Sequence, residues 1–137
     1  MKVTASVATT SDGYMDDCLP QRLVISNEED WDEVRRLRAR FDAILVGAET
    51  VRKDNPSLVI RDEKLREQRR LARMLPDIAK VTISSMGNLD VNSRFFTKGA
   101  DARKIVLLGP GTPPQTVEYL SSFAKTIVVD SICAQSI

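Results

Sequence analysis

From Ala43 to Asp62 the chain reads AILVGAETVRKDNPSLVIRD, a short aliphatic run that stops at a Gly-Ala pair and gives way to a polar, charged turn. An apolar run of this length bounded by a turn suits a strand of an open α/β sheet, and the carboxyl end of such a strand opens onto a crevice where ligands bind. Gly47 and Ala48 let the backbone approach a ligand closely. Glu49 and Thr50 then begin a helix whose first amides offer donors to anionic groups.

The absence of histidine narrows the chemistry further. It removes the commonest general base, the Ser-His and Cys-His dyads and most transition-metal sites. Proton transfer must rest on Asp, Glu, Lys, Tyr or water, which favours reactions in which a cofactor carries the difficult step. Cys18 and Cys133 lie far apart and outside any CxxC pair, so they read as free thiols rather than as a zinc or redox motif. With 20 basic against 19 acidic side chains, the formal net charge of +1 gives no global signal for nucleic acid. The 137 residues fit one domain. No apolar run approaches the ~20 residues of a membrane span and no signal-peptide pattern opens the chain, so a cytoplasmic protein is expected.

Along the chain, Lys2–Ala8 mixes β-branched and small side chains and reads as a strand, ended by the turn Ser11-Asp12-Gly13; a second short strand is expected at Leu23–Ile25 after Pro20. Ser26 and Glu29 have capping-box spacing, and Trp31, Val34, Leu37, Ala39 and Phe41 form an apolar stripe, which predicts a helix from Asn27 to Arg40. Ala43–Val46 is continuous enough for a parallel strand covered on both faces. Asp54-Asn55-Pro56 is a turn signature. The segment Asp62–Leu75, rich in Arg, Glu, Gln and Leu, predicts a surface helix with its arginines in water. Lys80–Ser84, Lys104–Leu108 and Thr126–Asp130 read as strands, and Pro113–Ala124 as a helix with proline in its first turn. The alternation implies a mainly parallel sheet with helices on both faces. Gly109-Pro110-Gly111 reads as a tight loop, with a phosphate cradle as the alternative, and Trp31 and Phe95-Phe96 read as core or interface. The basic run Arg66, Arg69, Arg70 and Arg73 is broken by Asp62, Glu63 and Glu67 and lacks interleaved aromatics, so it reads as a solvated helix face and not as an RNA-binding stripe.

Taken together, ATTSDG at Ala8–Gly13, VISNEED at Val24–Asp30, LRA at Leu37–Ala39, and ILVGAETVRKDNPSL at Ile44–Leu58 followed by Arg61 resemble the reductase domain of bifunctional riboflavin-biosynthesis proteins. LPDIAKVTISSMGNLDVNSRFF, Leu75–Phe96, is similar to the same region of stand-alone pyrimidine reductases. The resemblance implies a dihydrofolate reductase-like fold and NADPH-dependent reduction of the ribose of a phosphoribosylamino-pyrimidine, by hydride delivery to the sugar C1 of an open-chain imine or aldehyde form. It implies a cofactor site of Ala8, Gly47, Thr50, Asp54 and Ser85, with Arg38, Leu58 and Arg61 facing the substrate and the arginines suited to its phosphate. Arg52 and Lys53 are candidates for a cofactor 2′-phosphate. Asp54 is the candidate for orienting a water or the reacting sugar, or else it opens an Asx turn ahead of Pro56.

The chain departs from the family pattern at several points. Tyr14 stands where relatives usually place Lys or Arg after the first Asp-Gly, and Val24 where many have an aromatic or polar residue against the cofactor. Relatives continue past the strand at Thr126–Asp130 into a helix, a strand leading to a Glu-Gly-Gly loop for the cofactor diphosphate, and a closing hairpin. Without these the single domain spanning residues 1–137 is expected to be incomplete at its carboxyl end and to leave a sheet edge exposed, which predicts a homodimer, a higher oligomer or dependence on a partner. The competing reading is a non-catalytic remnant or subunit that binds a nucleotide or a phosphorylated sugar. A third, a dihydrofolate reductase proper, is disfavoured by the lack of an acidic residue among apolar neighbours on an early helix.

Overall fold

The structure is a computed structural model that describes residues 2–15 and 25–131. The expected strand at Leu23–Ile25, apart from Ile25, and Cys18, Val24 and Cys133 lie outside the described residues. Four strands, β1 (Ala43–Gly47), β2 (Ala79–Ser84), β3 (Lys104–Leu108) and β4 (Lys125–Val128), form one sheet in the order β1-β2-β3-β4, every pair parallel. Parallel neighbours need crossovers, and helical segments supply them: α2 (Ala48–Asp54) and α3 (Glu63–Leu71) before β2, α4 (Arg94–Thr97) before β3, and α5 (Pro114–Ser121) before β4. Helix α1 (Glu28–Arg38) leads into β1.

Local signals explain the boundaries. The capping box at the start of α1 uses Asn27 and Asp30, one residue later than the Ser26 and Glu29 spacing suggests: the Asp30 amide donates to Asn27 Oδ1 at 2.8 Å and the Asn27 amide to Asp30 Oδ2 at 3.1 Å. Asn has as strong a cap preference as Ser, so two overlapping boxes competed and the sequence alone does not separate them. Helix α2 stops at Asn55, which takes the left-handed conformation at φ 42° that Asn tolerates at a helix end.

Parallel pairing fixes which side chains share a face. Ile44 and Val46 of β1 align with Lys80 and Thr82 of β2, and Thr82 and Ser84 align with Val106 and Leu108 of β3. Against this face pack Ala48 and Val51 of α2, Leu58, Leu89, Phe95 and Phe96 of α4, and Leu120 of α5, which together make the core. The Phe95 and Phe96 rings meet edge to face at 5.0 Å, so the pair is core, as expected.

Three expectations need correction. Lys2–Ala8 lies exposed and outside the sheet: no described strand pairs with it, and β-branched residues alone do not make a strand without a hydrogen-bonding neighbour. Strand β1 is not covered on both faces, because it lies at an edge of the described sheet and Leu45 remains 42% exposed. Helix α3 does not leave all its arginines in water, since Arg69 is only 2% exposed. Its guanidinium donates to the carbonyls of Leu75 at 2.8 Å, Ala39 at 2.9 Å and Phe41 at 2.8 Å, tying α3 to the turn before β1. Burial pushes the Arg69 pKa down, against the opposing pull of Asp42 and Asp77.

Candidate functional site

Two regions hold some of the residues singled out by sequence, and they sit at opposite ends of the strands. At the carboxyl ends of β1 and β2, Gly47 pairs with Ile83, which brings it beside the turn that starts at Ser85. A side chain at Gly47 would meet nothing within 4 Å, so the backbone there faces open space. Thr50 and Ser85 are exposed on the same rim. The turn after β2 is well tied: the Gly87 amide donates to Ser84 Oγ at 3.0 Å, the Gly109 amide to the Ser84 carbonyl at 3.0 Å, and Thr112 Oγ1 to the Ser85 carbonyl at 3.1 Å. Gly109 to Thr112 form a tight turn, with the Gly109 amide held by Ser84 and the Thr112 amide donating to the Gly109 carbonyl at 3.1 Å.

The open backbone at Gly47 and the exposed hydroxyls of Thr50 and Ser85 fit a nicotinamide nucleotide lying along this rim. Arg52, a candidate for a 2′-phosphate, holds Glu49 at 2.6 Å and the Asn88 carbonyl at 2.8 Å, the first through an exposed ion pair. Ala8 is exposed in the unpaired amino-terminal segment and is not joined to this rim by the sheet. Asp54, half-buried, closes α2 at the end away from Gly47.

The second region is a cleft of about 470 Å³ beside the amino end of β2. Ser57, Arg61, Arg66, Asp77, Arg94, Lys98 and Gly99 are among its lining residues. Its floor is fixed by buried charge. Asp77 accepts from Arg66 Nη1 at 2.8 Å and from the Ile60 amide at 3.2 Å, and Arg66 also reaches Asp101 at 3.3 Å. Beneath it Lys80, fully buried, extends its ammonium to the carbonyls of Phe95 at 2.5 Å, Lys98 at 2.6 Å and Ser57 at 3.3 Å. One buried cation thus ties the loop after α2 to both ends of α4. Burial, with Lys104 adding to it and Asp77 opposing it, pulls the Lys80 pKa down to about 8.

Backbone geometry adds to the fixity. Gly99 has φ +74°, and a Cβ there would stand 2.8 Å from Val59 Cγ1, so both conformation and space demand glycine. Asn55 Oδ1 accepts from the Arg94 amide at 2.6 Å, which couples the end of α2 to the start of α4.

Of the residues expected at the substrate, Arg61 lines this cleft. Leu58 does not present a side chain to it: held at φ 51°, it is buried in the core. Arg38, half-buried, ends α1 in the turn that precedes β1, where its carbonyl accepts from the Phe41 amide at 3.2 Å. It is therefore near the amino end of β1, away from Gly47. Sequence reading missed Lys80, Arg94 and Lys98. A lysine inside the apolar run Ala79–Ser84 was the available signal for the first, because its register turns it inward. No sequence signal marks Arg94 and Lys98, which the fold brings to Arg61 from more than thirty residues away.

Among the described residues no group of three or more His, Cys, Asp and Glu could hold a metal ion, and no helix is long and apolar enough to cross a membrane. The basic run on α3 is engaged within the protein: Arg70 pairs with Glu63 and Glu67 at 2.8 and 2.9 Å, Arg66 with Asp77, and Arg69 is buried.

The family model described as the RibD C-terminal domain matches residues 1–134. A protein of Archaeoglobus fulgidus named 2,5-diamino-6-ribosylamino-4(3H)-pyrimidinone 5′-phosphate reductase is 33% identical over 126 residues, covering 92% of this chain and 57% of the relative. A protein of the same name from Aquifex aeolicus is 43% identical over 105 residues, 77% of this chain and 42% of that one. The chain thus spans about half the length of these relatives. In structure it is similar to a pyrimidine reductase-like protein of Corynebacterium diphtheriae, with TM-score 0.79 and 22% identity over 95% of this chain and 56% of the other. A diaminohydroxyphosphoribosylaminopyrimidine deaminase/5-amino-6-(5-phosphoribosylamino)uracil reductase of Thermotoga maritima gives TM-score 0.66 and 26% identity, covering 95% of this chain and 32% of that protein.

Proposed function

The chain belongs to the RibD C-terminal domain family, and on that premise we propose that it is an NADPH-dependent reductase acting on the ribose of a phosphoribosylamino-pyrimidine in riboflavin biosynthesis. The match over residues 1–134 carries this reading, together with two relatives named as reductases of a ribosylamino-pyrimidinone 5′-phosphate.

The chain's own residues suit the task. Gly47 leaves room for a flat ring against the sheet, and Thr50 and Ser85 offer hydroxyls beside it. Bound there, the nicotinamide supplies a hydride to C1 of the open-chain sugar. Reduction of a C=N or C=O bond also needs one proton on the nitrogen or oxygen. With no histidine in the chain, we assign that proton to a water, which is left as hydroxide and reprotonated from solvent, and Asp54 is the candidate for orienting that water or the reacting sugar. Arg38 and Arg61 are the substrate-phosphate candidates that the family resemblance supplies; both lie toward the amino ends of β1 and β2 and away from the Gly47 rim. Ala8, exposed in the unpaired amino-terminal segment, and Leu58, buried in the core, are candidates on the family resemblance alone.

The test is loss of reduced-nicotinamide absorbance when the purified protein meets NADPH and the ribosylamino-pyrimidinone 5′-phosphate. Oxidation that requires both compounds supports the reading. Absence of turnover with retained binding of a nucleotide or a phosphorylated sugar would favour the non-catalytic alternative.

A further inference from the structure

Helix α1 carries a charge order that its own chain leaves unanswered. Glu29, Glu33, Arg36 and Arg40 recur at spacings of four, three and four residues, which places them along one face of the helix and of the turn that closes it. That turn continues the helix, since the Arg40 amide donates to the Leu37 carbonyl at 3.0 Å. All four side chains are exposed, and none makes an ion pair among the described residues. The next face of the same helix does pair its charges, Arg35 with Asp32 and Glu28. The helix dipole accounts for acid in the first turn and base in the last, but its reach ends within a turn and it gives no reason for Glu33 in the middle. Within one chain the order is costly, because Glu29 and Glu33, and again Arg36 and Arg40, are like charges four residues apart.

We propose that this face is an interface between two copies of the chain, with their α1 helices antiparallel about a two-fold axis that passes between Val34 and Arg35. That axis sets Glu29 against Arg40 of the second copy and Glu33 against its Arg36, and symmetry forms each pair twice. A parallel arrangement sets acid against acid, and a partner of one sign answers only half of the face. Self-complementarity therefore selects a second copy. Helix α3 broadens the basic end. The Arg69 guanidinium gathers the carbonyls of Ala39, Phe41 and Leu75, so the turn after α3 lies beside the turn that carries Arg40. That neighbouring turn adds the exposed Arg73, and Leu75 at 40% exposure supplies apolar surface. The acidic first turn of the second copy, Glu28 to Asp30, falls toward this corner. Exposed ion pairs are individually weak, so the association is reversible and falls with salt. The interface uses none of the residues assigned to the reaction and does not depend on the reductase reading.

Sedimentation equilibrium tests the proposal on the wild type, on Glu29→Lys/Glu33→Lys, on Arg36→Glu/Arg40→Glu, and on an equal mixture of the two variants. The wild type should self-associate at about 0.05 M salt, with an association constant that falls about tenfold or more by about 0.5 M. Each variant alone sets like charges against like and should be lighter than the wild type at the same concentration. In the mixture every reversed charge meets its opposite across the two-fold, so the wild-type mass should return. The substituted side chains are exposed, and thermal unfolding checks that both variants keep the fold. If either does not, Glu29→Gln/Glu33→Gln takes its place and should weaken the association and flatten its salt dependence. Association left in both variants and at high salt belongs to the open sheet edges and not to α1. A wild type that is monomeric at every concentration, a variant that associates as the wild type does, or a mixture no heavier than its separate folded variants would each overturn the interface.

Discussion

Lys80 is the residue on which the most structure depends. Its ammonium satisfies three carbonyls, and it does so at the cost of being buried. Lys80→Met should leave those carbonyls without a donor and destabilise the protein by about 1–3 kcal/mol in urea unfolding. The pH dependence follows from its lowered pKa. Below about 8 both folded and unfolded chains hold the proton, so the burial cost is fully present; between about 8 and 10.5 only the unfolded chain holds it, so stability rises with pH. The difference between wild type and Lys80→Met should therefore change across that window, and a constant difference would show that Lys80 does not titrate there. Asp54 carries the other residue-scale expectation. Asp54→Asn should lower turnover about 100-fold or more while NADPH still binds, because it removes the group proposed to orient the proton-donating water and leaves the Gly47 rim intact. Unchanged turnover would return Asp54 to a purely structural turn.

At the scale of elements, β2 shows what the sequence could and could not reveal. Its apolar alternation made the strand legible, and the register then turns Lys80, Thr82 and Ser84 into the core. Ser84 finds the Gly87 amide, but Thr82 Oγ1 is buried without a partner. Thr82→Val keeps the shape and removes an unsatisfied hydroxyl, so the urea midpoint should hold or rise; a clear fall would mean that the hydroxyl has a partner. Most helices and strands were readable because periodicity, Asn and Pro signals and turn residues agree locally at α1, α2, α5 and β3. Lys2–Ala8 shows the limit, since its composition suits a strand but pairing is a property of neighbours. Arg69 shows another: nothing in a run of arginines tells which one the fold will bury against Ala39, Phe41 and Leu75.

For the whole molecule, the candidate site was half legible. Gly47, Thr50 and Ser85 share a rim because β1 and β2 pair in register; the run from Ala43 to Asp62 pointed to Gly47 and Thr50, and Ser85 was expected only from the family resemblance. The basic cleft was not legible, because Arg61, Arg94 and Lys98 meet only through the crossovers around β2. Both edges of the described sheet, β1 and β4, are unpaired, and Leu45 and Ile127 are exposed on them. Open edges with apolar side chains favour association, and we expect a homodimer or higher oligomer by sedimentation equilibrium; a monomer at every concentration would contradict this.

The central claim is that the rim at Gly47 belongs to a reductase, and a calorimetric titration with NADPH beside NADH tests it most directly. Saturable binding that is tighter for NADPH, and is abolished by Gly47→Val while the fold persists, is the expected result. No binding of either nucleotide by the folded protein would contradict the account and leave a chain that keeps the family's fold without its cofactor.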